Sequence, residues 1–196
     1  MKRGRLILAS ASPRRQSLLR EAGYEFVIAP ADLDESAIAG GVKLSPDDLP
    51  AYLARAKAEA VAAKFPDDFV LAADTVVALK ELVLGKPADA EDARRILSLL
   101  SGTTHRVITG LAIIHRTGGV VLSDTVASTV QMRTLSPGQI EGYLGTGQWQ
   151  GKAGAYGIQD SDPFVARIDG CLTNIVGLPM TTTAALLRRA GIDPPK

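Results

Sequence analysis

The stretch Leu6-Ile7-Leu8-Ala9-Ser10-Ala11-Ser12-Pro13-Arg14-Arg15-Gln16 organises the chain. Leu6 to Ala9 is a short apolar run and reads as a buried strand. Small residues follow, so the chain can turn tightly. Ser12-Pro13 then reads as a helix start, with Ser at the N-cap and Pro at the first helical position. Arg14 and Arg15 fall in the first turn, where free backbone N–H groups already carry partial positive charge. Two cations are misplaced there on dipole grounds unless an anion binds. Backbone N–H groups, hydroxyls and guanidinium forks together make a phosphate cradle. Solvation at the surface is the usual fate of arginine, and the local pattern by itself decides between neither reading.

Working outward, the first helix runs from Pro13 to about Ala22 and stops at Gly23. Tyr24 to Ile28 alternates and reads as a strand. Pro30 to Leu44 reads as a loop with an acidic cluster, Asp32, Asp34 and Glu35. Ser45-Pro46 opens a second helix, with an apolar stripe of Leu49, Tyr52, Leu53, Ala56, Ala60 and Val61. Lys57 falls one position after the stripe residue Ala56. Phe69 to Ala73 reads as a buried strand ending in Asp74-Thr75. Val76 to Leu79 and Leu82 to Leu84 read as two short strands around Lys80-Glu81. Asp89 caps a third helix, which stops at Gly102.

The second half begins with two long strands, Arg106 to His115 and Val120 to Met132, joined as a hairpin through Thr117-Gly118-Gly119. Ser136-Pro137-Gly138-Gln139 has capping-box spacing and starts a fourth helix. A glycine-rich loop spans Gly145 to Gly157. Val165 to Ile168 and Leu172 to Val176 read as paired strands around Asp169-Gly170, and a last helix runs from about Met180 to Ala190. This alternation, with a long hairpin late in the chain, gives an α/β protein with a mixed β-sheet. Neither Gly-x-Gly-x-x-Gly after a strand nor a P-loop occurs, which disfavours a dinucleotide fold and a P-loop nucleotidase.

A chain of 196 residues, 46% hydrophobic, has the size of one domain, taken as residues 1–196. Lys and Arg number 22 against 21 Asp and Glu, so bulk charge draws the protein to neither nucleic acid nor membrane. A single cysteine, Cys171, excludes an internal disulfide and a cysteine metal cluster, and fits a reducing, cytoplasmic setting. The basic N-terminus precedes an apolar run too short for a signal peptide, and no run reaches the length of a membrane span.

Asp74 is the strongest candidate for chemistry. It closes an apolar strand, where a carboxylate is costly without a cation or metal beside it, and no helix follows for it to cap. Asp34 and Glu35 suit a hard cation such as Mg²⁺, although a solvated acidic loop is the commoner outcome. Lys57, Lys86 and Lys152 adjoin apolar or glycine-containing sequence. With Arg14 and Arg15 they make five cations suited to a polyphosphate, provided the fold gathers them. His105 reads as structural, since two histidines argue against a His-based triad or zinc site. Cys171 reads as incidental and Trp149 as packing.

Seven blocks, in order and spacing, resemble the Maf family: Ser10-Ala11-Ser12-Pro13-Arg14-Arg15, Asp34-Glu35, Ala73-Asp74-Thr75-Val76-Val77, Gly85-Lys86-Pro87, Ser101-Gly102-Thr103-Thr104-His105, Lys152-Ala153-Gly154-Ala155-Tyr156-Gly157-Ile158-Gln159 and Asn174-Ile175-Val176-Gly177-Leu178-Pro179. The resemblance spans Leu6 to Leu187. It implies an inosine-triphosphatase-like fold, an elongated mixed sheet with flanking helices and a central cleft, and a homodimer. It also implies a cytoplasmic nucleoside triphosphate pyrophosphatase that releases a monophosphate and pyrophosphate with a divalent metal cation, Mg²⁺ or Mn²⁺.

By the same resemblance, Asp74 is the proton acceptor, and Arg14, Thr75 and Gln159 govern base choice. This set looks like the branch acting on dTTP and UTP. The branch acting on 7-methyl-GTP tends to carry Asp-Gln in place of Asp-Thr. Two departures, Asp160 after Gln159 and Gln148-Trp149-Gln150, bear on base preference rather than on the reaction.

The expected chemistry is metal-assisted attack of water at the α-phosphorus. Asp74 acts as base or metal ligand and Glu35 helps hold the metal. Ser10, Arg14, Arg15, Lys57, Lys86 and Lys152 hold phosphates. A glutamine at 159 offers both donor and acceptor to a pyrimidine edge. The alternative from another class is a nucleotide-binding regulator of septum formation or cell division, which would need the cations but not the carboxylates.

Overall fold

The apolar run that begins at Phe69 does not stop at Asp74. In the computed structural model, which describes residues 4–159 and 164–194, it continues as one eleven-residue strand, β3 (Phe69–Leu79). Asp160, Pro195 and the basic residues Lys2 and Arg3 lie outside the described residues. Earlier in the chain come β1 (Leu6–Leu8), α1 (Pro13–Glu21), β2 (Val27–Ile28), α2 (Glu35–Gly40) and α3 (Leu49–Ala62). After β3 follow β4 (Leu82–Leu84), α4 (Ala90–Leu100), β5 (Thr104–His115), β6 (Val120–Met132) and α5 (Pro137–Gly145). The chain then passes through a 3₁₀ turn (Ala153–Ala155) to β7 (Val165–Asp169), α6 (Leu172–Val176) and α7 (Met180–Arg189).

The seven strands form one mixed sheet in the order β2-β1-β3-β5-β6-β7, with β4 also paired to β3. β1 runs parallel to β2 and β3, and all other pairs are antiparallel. The expected α/β architecture with a mixed sheet and flanking helices is therefore the one observed. The long hairpin of β5 and β6 is in register from Thr104–Gln131 to His115–Val120.

β3 has two edges. β5 occupies one continuously, from Val70 to Ala78. The other is shared: β1 pairs with Phe69 to Leu71, and β4 with Val77 to Leu79. Residues 72–76 border neither, which leaves a notch in the sheet with Asp74 and Thr75 at its floor.

Strand side chains alternate between faces. Val70, Ala72 and Asp74 face α3, whose Ala54, Ala58 and Val61 pack in one cluster with Ile7, Val70 and Ala72. Leu71 and Ala73 face α1 and α7, packing with Leu19, Leu186 and Leu187. Val77, farther along that second face, joins the cluster of α4 and α5, built on Ile96, Leu97, Leu100, Ile140 and Leu144. Thr75 lies between these two helical packs.

Several local readings are corrected. The residues expected to form a loop from Pro30 to Leu44 include α2, because Asp34 caps it by accepting from Ala37 N at 2.9 Å. Ser45-Pro46 does not open a helix. Ser45 Oγ accepts from Asp48 N and donates to Asp48 Oδ2, closing a turn before Leu49. The buried stripe of α3 is also rotated. Leu53, Ala54, Lys57, Ala58 and Val61 are buried while Tyr52 is exposed, because alanine methyls let the helix lie close on the sheet. The strand expected from Tyr24 is only Val27–Ile28.

Leu172 to Val176 is not a strand but the short helix α6. Gly177 ends it at φ 113°, a conformation that disfavours a side chain. Asp74 lies in the middle of β3 rather than at a strand end. Its carboxylate and the Thr75 hydroxyl find partners there, so two polar residues do not interrupt pairing with β5.

Gly110 lies opposite Asp74 on β5, on the face that α3 covers. A Cβ at Gly110 would overlap the backbone of Pro50 and Ala51 at the start of α3. Gly110→Ala should therefore push α3 off the sheet and carry Lys57 with it. We expect a loss of about 1–3 kcal/mol or more in urea unfolding, typical of core overpacking. An unchanged midpoint would show that α3 does not need this close approach.

Candidate active site

The notch opens into a cleft of about 550 Å³. Its walls come from the β1–α1 turn (Ala9 to Arg15), Glu35 of α2, Lys57 of α3, Asp74 and Thr75 of β3, the Lys86 loop, the glycine-rich segment and the α6–α7 turn. Every candidate from the sequence except Asp34 lines it: Ser10, Arg14, Arg15, Glu35, Lys57, Asp74, Thr75, Lys86, Lys152 and Gln159. Asp34 is exposed and committed to capping α2. Five cations face two carboxylates in a chain whose net charge is only +1, so the positive charge is concentrated here.

Lys57 is the ionic centre. It stands on the buried stripe of α3, and its Nζ lies 2.6 Å from Asp74 Oδ1 and 3.0 Å from Glu35 Oε2. Both Lys57 and Asp74 are buried. Lys86, exposed on the Gly85-Lys86-Pro87 loop, approaches the same Glu35 oxygen at 3.8 Å. Burial pushes the Glu35 carboxyl up. Lys57, Lys86 and Arg15 outweigh burial and hold it below the usual carboxylate range.

Arg14 and Arg15 share a helical turn but differ in role. Arg14 reaches across the cleft, with Nη2 donating to Gly151 O at 3.3 Å. Arg15 is clamped. Its Nε donates to Gly177 O at 2.8 Å, Nη1 to Ser10 Oγ at 3.2 Å and Nη2 to Thr75 Oγ1 at 3.1 Å. Burial pulls the Arg15 guanidinium down, and Asp74 and Glu35 oppose that pull. Ser12 stands at the N-cap of α1 without a side-chain cap bond. Instead Ser10 Oγ accepts from Ser12 N at 3.2 Å.

The pleat of β3 divides the cleft. Asp74 and Lys57 meet on the α3 side, with Glu35 and Lys86 beside them. Thr75 and Val77 point to the opposite side, across from Thr109 and Val107 of β5. There Tyr156, Ile175 and Val176 add apolar surface, and Gln159 lies exposed at the margin. Charge is present on both sides: Asp74, Glu35, Lys57 and Lys86 balance one another on the α3 side, while Arg15 of α1 stands against Thr75. The excess of cations suits phosphates, and the apolar surface beside Thr75 and Val77 suits a flat, weakly polar group.

Two carboxylates held by one ammonium lie within the reach of a single cation. With phosphate oxygens they make a donor set of the kind Mg²⁺ prefers. Among the described residues no group of three or more His, Cys, Asp or Glu side chains could hold a metal on its own.

Local sequence gave no signal for Gly177 O as the anchor of Arg15, nor for Thr109 and Asn174 beneath Thr75. All three contacts span more than thirty positions. His105 is structural, as expected: it is buried, with Nε2 2.7 Å from the hydroxyl of Tyr156, a wall residue. Trp149 packs in the core and donates from Nε1 to Leu144 O at 3.1 Å.

Residues 5–190 match the family model described as Maf-like protein. A protein of Anaeromyxobacter dehalogenans (strain 2CP-C) named dTTP/UTP pyrophosphatase is 48% identical over 194 residues, which cover 97% of this chain and 96% of the relative. Relatives of the same name from Myxococcus xanthus (strain DK1622) and Cereibacter sphaeroides are 45% and 47% identical. They cover 97% and 95% of this chain, and 94% and 95% of their own lengths.

Burial lowers the His105 pKa from 6.5 to about 4. The unfolded chain therefore takes up a proton below about pH 6.5 that the folded protein refuses until about pH 4. Stability should fall across that window as pH falls, by about 3 kcal/mol from this group. Urea unfolding of wild type and His105→Gln at pH 7 and pH 4.5 checks it. The variant should show the shallower pH dependence, and parallel curves would remove His105 as the cause.

Proposed function

The chain belongs to the Maf-like protein family, and on that premise we propose that it hydrolyses dTTP and UTP to the monophosphate and pyrophosphate. The observation that carries the reading is the cleft itself, in which five cations outnumber the carboxylates Asp74 and Glu35 and apolar surface lies beside Thr75 and Val77. A triphosphate meets the cations and a pyrimidine the apolar surface. A setting in the cytoplasm and a homodimer complete the reading. No helix among the described residues is long and apolar enough to cross a membrane.

The triphosphate lies among Arg14, Lys86, Lys152 and the Ser10 hydroxyl, with the α-phosphorus near Asp74. Lys57 holds Asp74 Oδ1, which leaves Oδ2 to take a proton from water. That water attacks the α-phosphorus, the bond to the bridging oxygen breaks, and pyrophosphate leaves with the charge it gains. The cations already stand around the position where that charge develops, so little reorganisation is needed. Arg15 is held rigidly by three partners and fixes the floor between the two sides of the cleft. Glu35 and Asp74 would hold a divalent cation, Mg²⁺ or Mn²⁺, together with substrate phosphate oxygens. When bound, it supplies charge neutralisation at phosphorus and a more acidic water. Thr75 and Gln159 meet the base.

The test is pyrophosphate release from dTTP, UTP, CTP, GTP and 7-methyl-GTP with Mg²⁺ or Mn²⁺, with and without a chelator. We expect metal-dependent release from dTTP and UTP. Release from 7-methyl-GTP alone would keep the reaction and reject the base assignment. Binding without release would favour a regulator.

In Asp74→Asn, Lys57 keeps Glu35 and an amide oxygen as partners, so the fold should hold. Turnover should drop by about 10²–10⁴-fold, the range for loss of a general base. Near wild-type turnover in this variant would remove Asp74 from the chemistry. Gln159→Ala should weaken discrimination between UTP and CTP while hydrolysis survives.

A further inference from the structure

Beneath Thr75 a chain of hydrogen bonds crosses the sheet, and its direction is fixed by chemistry. Arg15 Nη2 lies 3.1 Å from Thr75 Oγ1, and a guanidinium can only donate. Thr75 Oγ1 lies 2.9 Å from Thr109 Oγ1. Thr109 Oγ1 in turn lies 3.2 Å from the main-chain oxygen of Asn174, and a carbonyl can only accept. The single Thr109 proton therefore goes to Asn174, so the single Thr75 proton must go to Thr109. Thr75 accepts from Arg15 and donates inward.

Asn174 is itself fixed. It is fully buried, and its Nδ2 donates to Val107 O at 2.9 Å and to Ser128 Oγ at 3.0 Å. Its neighbour Gly177 receives Arg15 Nε, so α1, β3, β5 and α6 close into one ring of bonds.

We propose that Thr109 and Asn174 are positioning residues that set base selectivity by committing the Thr75 proton away from the ligand. Thr75 then faces the cleft beside its apolar surface with one free lone pair and no free proton. It meets a base as an acceptor only. Uracil and thymine present a ring N–H between two carbonyls, and cytosine presents an unprotonated ring nitrogen at the same place. A fixed acceptor pairs with the first and leaves two acceptors facing each other in the second, which a polar site rejects strongly. The inference rests on the reading of the cleft as a dTTP and UTP site.

The experiment compares kcat/KM for UTP and CTP in wild type, Thr109→Val, Thr109→Ala and Thr109→Ser. Valine keeps the shape of threonine and removes the acceptor, so the Thr75 hydroxyl is free to turn and donate to cytosine. The UTP-to-CTP ratio should fall by at least about tenfold in Thr109→Val and Thr109→Ala, mainly through faster CTP hydrolysis. Thr109→Ser should keep the wild-type ratio. In a Thr75→Val background, Thr109→Val should change the ratio no further. A merely structural role would slow both nucleotides alike, and an unchanged ratio in Thr109→Val and Thr109→Ala would overturn the proposal. Wild-type enzyme that does not prefer UTP over CTP would instead sink the functional reading on which it rests, so the two failures are distinguishable.

Discussion

Lys57 is an ammonium on the buried face of a helix, and everything around the cleft has to answer to it. An unpaired charge in that position would cost several kcal/mol, so its neighbours are constrained. Asp74 meets it from the middle of the sheet and Glu35 from the first turn of a separate short helix. The ion group thereby fixes how close α3 lies to β3 and where α2 comes to rest. Removing one carboxylate leaves the other in place, whereas removing the lysine leaves two carboxylates facing each other. Lys57 is thus held by two ion pairs in a cleft that gathers four further cations.

The second constraint is geometric. β1 is only three residues long, and β4 begins pairing six residues farther along the same edge of β3. The gap between them is the cleft. Because β5 spans β3 continuously on the other edge, the notch does not weaken the sheet. A ligand in the notch meets both faces of one strand at once, and the pleat presents Asp74 to one part of it and Thr75 to the other. Two adjacent residues therefore face opposite sides of the cleft without competing for space. Arg15, bonded to three separate elements, holds the dividing line.

Electrostatics and packing cooperate here in a specific way. Asp74, Glu35, Lys57 and Lys86 gather on the α3 side, and the Thr75 side, which Arg15 joins, continues directly into the apolar cluster of α4 and α5 through Val77 and Val107. That side of the cleft is therefore an extension of the core. Its polar groups, Thr75, Thr109 and Asn174, are tied into one network rather than left to adapt, which favours discrimination over plasticity.

The sequence by itself determined the features set by local chemistry. The β5–β6 hairpin was legible from two long alternating runs around Thr117-Gly118-Gly119. The cap at Asp89 and the capping box at Ser136 and Gln139 formed as their spacing required. Asp74 stood out because an apolar strand cannot hold a bare carboxylate, the cations stood out from the helix start and the apolar or glycine-containing sequence beside them, and the family blocks added Thr75 and Gln159. Only the tertiary structure decided which way those residues face. Lys57 is buried because α3 sits one position off its apparent stripe. Leu172 to Val176 is helical because Asn174 is held by Val107, Ser128 and Thr109 from distant strands. Thr75 donates inward because Asn174 offers only a carbonyl. Each of these depends on partners far along the chain, and a contact made only on folding leaves no mark on the local pattern of residues.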